Sequence, residues 1–105
     1  MPVKTPYHPP RKHSVEIAGH KTSISLEPLF WQFLGDAASR EGVPVNALVA
    51  RIDAERIASP TPPGLGSAIR LWLVDWLAGR LDEAQREPGG GRESERGQHA
   101  AAEPE

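Results

Sequence analysis

At Leu26 the hydrophobic period of this chain changes from two to about 3.6, and that switch limits the folds open to it. In Lys21 to Leu26 polar and apolar residues alternate. Thr22, Ile24 and Leu26 therefore share one face of a strand, and Lys21, Ser23 and Ser25 share the other. After Glu27-Pro28 the apolar residues Phe30, Phe33, Leu34, Ala37 and Ala38 recur at helical spacing, and Pro28 suits a first helical turn. Gly42 ends that run. Val45, Leu48, Val49 and Ile52 open a second helical stripe after a connection short enough to force a tight corner. The order is strand, helix, turn, helix. A lone half-apolar strand has unpaired backbone groups on both edges, so burying Ile24 and Leu26 requires a partner strand.

Upstream, Val15 and Ile17 alternate with Ser14 and Glu16, and Gly19 permits the positive φ of a tight turn. A hairpin running into Lys21 to Leu26 is one way to supply the missing strand, and it brings Glu16 beside the polar face of that strand. Residues 1–11 hold four prolines and no periodicity, the pattern of an extended arm. Downstream, Ser59 to Gly64 contains three prolines in four positions and reads as a linker, 59–64. Leu65, Ala68, Ile69, Trp72, Leu73, Trp76 and Leu77 then form a third helical stripe over 65–80, broadened by Leu71 and Val74 and expected to be largely buried. Ser67 is its expected N-cap. Residues 81–105, with Gly89 to Gly91 and an acidic end, read as a disordered tail.

The stretches IAGHKTSISLEPLFW and VNALVARIDAER, in this order, resemble the ribbon-helix-helix family, specifically a small bacterial branch with an extra C-terminal helix. The resemblance covers 12–80. It implies an α+β, mainly α fold and an obligate dimer, in which strands from two copies pair into a ribbon that enters the DNA major groove. It also assigns roles. Lys21, Ser23 and Ser25 become base contacts, and Val45 and Asn46 phosphate contacts, to which Arg11 and Lys12 are added as phosphate contacts for their charge. Ile24, Leu26, Phe30, Phe33, Leu34, Leu48, Val49 and Ile52, with Thr22, become the shared core. Two serines and a lysine form a thin code beside Arg, Asn or Gln, so part of the specificity falls to DNA shape or to cooperating dimers. The family usually places Ser or Thr where this chain has Pro44, which has neither hydroxyl nor N–H, so one phosphate contact is lost. Read without the family, the same polar strand face suits plain solvation, and Asn46 suits local capping.

Charge is uneven along the chain. Residues 1–21 carry four Lys/Arg against one acid, +3; residues 22–80 carry five against six, −1; residues 81–105 carry three against seven, −4. A basic start beside a groove-reading strand supplies phosphate attraction that the formal net charge of −2 conceals. There is no cysteine, hence no disulfide or thiolate site, which fits a reducing compartment. No apolar run has the length of a membrane span, and the expected location is the cytoplasm. His8, His13 and His20 fit neither a metal site nor a proton relay, and Gly64-Leu65-Gly66-Ser67 lacks the lysine of a phosphate loop. No cofactor, metal or enzymatic activity is expected. The reading is a DNA-binding repressor or autoregulator. Its alternative is an antitoxin-like interaction module that meets a protein partner through the Trp72/Trp76 face or the tail.

Overall fold

A computed structural model describes residues 5–86. Its elements are β1 (Arg11–Ile17), β2 (His20–Leu26), α1 (Pro28–Glu41), α2 (Val45–Ala58) and α3 (Leu65–Arg86). Packing divides the chain within α3. The first compact unit runs to Val74 and the second begins at Asp75.

β1 and β2 pair antiparallel as a two-stranded hairpin, with Val15 opposite Thr22, His13 opposite Ile24 and Glu16 opposite Lys21. Directly opposed residues share a face. Val15, Ile17, Ile24 and Leu26 thus fall together on the inner face, and all four are buried. The turn is Ala18-Gly19, and both residues have positive φ, 52° and 83°. Two positive φ values match the twist of a two-residue hairpin. Gly19 adopts its angle freely, whereas an L-residue there costs about 1–2 kcal/mol, so Ala18 is strained.

Pro28 occupies the first turn of α1, and Phe30 and Trp31 donate their amides to the Glu27 carbonyl at 2.9 and 3.1 Å. The helix ends at Gly42, left-handed at φ 73°, where the Gly42 amide donates to Ser39 and the Val43 amide to Ala38. These bonds satisfy carbonyls that the last turn leaves open and swing the chain into α2. α1 packs on β2 and α2, and α2 packs on β1. The core beneath the hairpin holds Leu34, Ala37 and Ala38 of α1, Leu48, Val49 and Ile52 of α2, and Ala68, Ile69 and Leu73 of α3. Thr22, Phe30 and Phe33, expected in a shared core, are half-buried in the single chain.

Between α2 and α3, Arg56 pairs with Asp53 at 2.8 Å and donates to the Pro63 carbonyl at 3.1 Å, tying the proline linker to α2. Three details of α3 differ from expectation. It starts at Leu65, where the Ala68 amide donates to the Gly64 carbonyl, so Ser67 lies inside the helix instead of capping it. It continues to Arg86, six residues past 80, because Leu81 to Gln85 contain good helix formers and no proline or glycine. Leu71 and Val74 are 64% and 57% exposed, since at 100° per residue both point away from the Ile69/Leu73 side. The remainder of the expected tail, residues 87–105, and residues 1–4 of the arm lie outside the described residues. Residues 5–10 are exposed and without regular structure, and the arm gives way to β1 at Arg11.

Candidate nucleic-acid interface

The outer face of the hairpin follows from the same register that fills the core. Lys12, Ser14 and Glu16 of β1 stand opposite Ser25, Ser23 and Lys21 of β2, and all six side chains are exposed. Two ammonium groups, three hydroxyls and one carboxylate thus occupy one surface, rich in hydrogen-bond donors and free of apolar side chains. Glu16 stands directly across from Lys21, yet no ion pair within 4 Å joins them among the described residues.

Lys21, Ser23, Ser25 and Lys12 are brought together here, but Arg11 is not. Alternation along β1 puts Arg11 opposite Leu26, on the inner side of the hairpin. Its carbonyl accepts a 2.9 Å hydrogen bond from Trp31 Nε1. His13, two residues on, meets the Trp31 ring edge-on at 4.5 Å. Trp31 therefore holds the first half of β1 against α1. Periodicity carries little sign of this, because Trp31 lies beside the apolar stripe of its helix; the only hint is that a half-buried indole N–H seeks an acceptor.

At the start of α2, Pro44 is the N-cap in extended conformation, and no side chain caps the helix. The Ala47 and Leu48 amides both donate to the Pro44 carbonyl at 3.1 Å. Ala47 is thus removed from the set of free amides. Those of Val45 and Asn46 have no acceptor among the described residues, and the Asn46 side chain is exposed. This end can hold an anion through two backbone donors and one side-chain amide. It does not use Asn46 as a cap.

The far end of β2 is tied to α3. Arg70 donates from Nε and Nη2 to Glu27 Oε1 at 3.0 and 2.7 Å, and from Nη2 toward the Ser25 carbonyl at 3.5 Å. Its guanidinium also lies 5.5 Å from the centre of the Phe30 ring. The Arg70 hydrogen bond, reinforced by Glu27's own backbone N–H and by the charge of Arg70, holds the Glu27 carboxyl below the usual glutamate range against a smaller opposing effect of desolvation. Nothing in the spacing of Glu27 and Arg70 along the chain announces this pair.

The two tryptophans of α3 are half-buried, with Arg51 5.8 Å from the Trp72 ring centre and Arg80 5.3 Å from that of Trp76. Arg51 also pairs with Glu41 at 2.9 Å. The exposed large apolar side chains of α3 are Leu71, Val74 and Leu81, whereas the indoles are half-buried. Among the described residues no group of three or more His, Cys, Asp or Glu is placed to hold a metal ion, and no helix is long and apolar enough to cross a membrane.

Comparison with known proteins bears on this arrangement. A comparison with curated proteins finds no match. Among solved structures, the chain is similar to an uncharacterized protein from Bordetella pertussis Tohama I, at 26% identity and a TM-score of 0.58. The similarity covers 75% of this chain and 62% of that one, so this chain spans less than two thirds of that protein's length. The family model described as ribbon-helix-helix domain matches residues 10–77, which take in the hairpin, α1, α2 and the first part of α3. By that match and by its order of hairpin, helix, corner and helix, the chain belongs to the ribbon-helix-helix family, a fold of DNA-binding transcription regulators.

Proposed function

We propose that this protein is a homodimeric, sequence-specific DNA-binding repressor or autoregulator acting in the cytoplasm. The observation that carries the proposal is the division of β2: Ile24 and Leu26 are locked in the core, while Lys21, Ser23 and Ser25 stand exposed beside them. β1 covers one edge of β2, and the other edge has no strand partner among the described residues. A second copy pairing there satisfies the open backbone groups. It also covers apolar surface that a single chain leaves half-exposed at Phe30 and Phe33.

In this dimer the two β2 strands lie centrally with a β1 on each outer side. Three strand spacings separate the two β1 strands by about 14 Å, more than the roughly 12 Å width of the major groove. The β2 pair enters the groove and β1 rides over its rims. Lys21, Ser23 and Ser25 then meet base edges, and Lys12 meets phosphate. The Val45 and Asn46 amides hold a further phosphate, and Arg11, on the inner side of β1, adds only long-range attraction. Glu16 weakens contact with the backbone and penalises binding that depends on charge alone.

Selection of the purified protein against random duplexes at moderate salt tests this reading, with sedimentation reporting the oligomer. A symmetric enriched motif bound by a dimer is expected. Retention without enrichment, vanishing as salt rises, overturns it. The exposed pair Leu71 and Val74 favours a second reading, an antitoxin-like module that binds a protein through α3. Under that reading a Leu71/Val74 double alanine variant loses partner capture while DNA behaviour is unchanged.

A further inference from the structure

α3 lies beyond the two helices of a minimal strand-helix-helix unit, yet its first turns reach the end of the strand proposed to read DNA. Two observations place it there. The Arg70 guanidinium brackets the end of β2, with Nη2 directed at the Ser25 carbonyl at 3.5 Å and both Nε and Nη2 on Glu27 Oε1. One turn earlier on the same helix, Gly66 presents its bare Cα to that carbonyl. A Cβ at Gly66 would stand 3.7 Å from the Ser25 oxygen and 3.4 Å from Arg70 Nη1. Gly66 and Arg70 are four residues apart and so occupy one helix face, and both lie close to the Ser25 carbonyl.

We infer that Arg70 is a positioning residue for DNA specificity: through Glu27 and the Ser25 carbonyl it fixes the end of β2, and with it the direction in which the Ser25 hydroxyl meets a base. The inference rests on the DNA-reading function proposed above. The chemistry suits the task. A planar guanidinium fixes two acceptors in defined directions, which a lysine ammonium does not. A hydroxyl has only one heavy-atom bond of reach from Cβ, so a tilt of the strand backbone passes undiminished to its oxygen. A long side chain such as Lys21 compensates for the same tilt by changing rotamer. The effect of Arg70 is therefore concentrated at the base pair under Ser25 and is weak at the one under Lys21.

The test compares wild type, Arg70→Ala, Arg70→Lys, Ser25→Ala and the Arg70→Ala/Ser25→Ala double variant. Binding is measured to the selected duplex and to a scrambled one, at a temperature where circular dichroism shows each variant folded. Arg70→Ala is expected to weaken binding to the selected duplex about as much as Ser25→Ala, with little change on the scrambled duplex. Adding Ser25→Ala to it causes no further loss, and Arg70→Lys restores only part. A merely structural Arg70 lowers the melting temperature while leaving the ratio of selected to scrambled affinity unchanged, or gives losses that add; either result overturns the inference. Amide hydrogen exchange without DNA provides an independent arm. Faster exchange at Ser25 and Leu26 in Arg70→Ala is expected, and unchanged exchange there overturns the positioning role. If wild type selects no motif, the DNA-reading proposal itself fails and takes the specificity role with it. A motif selected by wild type and read equally well by Arg70→Ala overturns only the inference about Arg70.

Discussion

The two faces of the hairpin lie a few ångströms apart and have opposite chemistry. Inward, Val15, Ile17, Ile24 and Leu26 are buried against α1 and α2. Outward, Lys12, Ser14, Glu16, Lys21, Ser23 and Ser25 are exposed. Because strand alternation assigns every second residue to each face, neighbouring positions answer to different demands, one to stability and the next, under the proposed function, to recognition. Such a strand keeps its recognition surface open to substitution without risk to the fold. A one-residue slip in register would exchange the two sets, so the turn that fixes register serves both.

Substitutions on each face test this division, and the largest effect is expected inward. Leu26 is fully buried, and Leu26→Ala should lower the unfolding free energy by about 2–5 kcal/mol in urea titration. A loss below 1 kcal/mol would mean that the inner face is not the core face. At the turn, Ala18→Asn should stabilise both faces together by about 1 kcal/mol, because asparagine tolerates the φ of 52° better than alanine. DNA affinity per folded molecule should not move. Outward, Glu16→Gln should tighten DNA binding a few-fold at low salt, chiefly on scrambled duplexes, and change stability by no more than about 0.5 kcal/mol. A drop in affinity would show that the carboxylate holds Lys21 in place instead of repelling phosphate.

The smallest effect is at the junction of strand and helix. The folded Glu27 carboxyl ionises below the ordinary value of 4.5, so its pairing with Arg70 stabilises the fold above that pH. The contribution disappears as pH falls through the lowered value. The stability gap between wild type and Arg70→Ala should therefore be present at neutral pH and shrink in strong acid; a gap independent of pH would assign it to the packing of Arg70 on Phe30.

Much of the frame was legible in the sequence because period carries it. The change at Leu26, the alternation of Val15 and Ile17 and the glycines at 19 and 42 each correspond to a strand, a turn or a helix end. Less legible was whatever depends on one long side chain crossing between elements. Arg70 on Glu27, Trp31 on the Arg11 carbonyl and Arg56 on Pro63 leave no periodic trace. Periodicity also misplaced Leu71 and Val74, because α3 is apolar on more than one side and only contacts tell which side is covered. At the candidate interface, alternation alone separated the outer residues of β2 from the inner ones. Putting Lys12 beside Ser25, and Arg11 behind them, required the pairing register of the hairpin.

Under the proposed function, adjacent residues of β2 divide recognition from stability. Lys21→Ala and Ile24→Ala separate the two, each measured for affinity to the selected duplex and for unfolding free energy. Lys21→Ala should weaken binding by about 1–3 kcal/mol with an unchanged unfolding midpoint, and Ile24→Ala should lower the midpoint sharply. If Lys21→Ala binds the selected duplex as tightly as wild type, the outer face does not read DNA and the account fails.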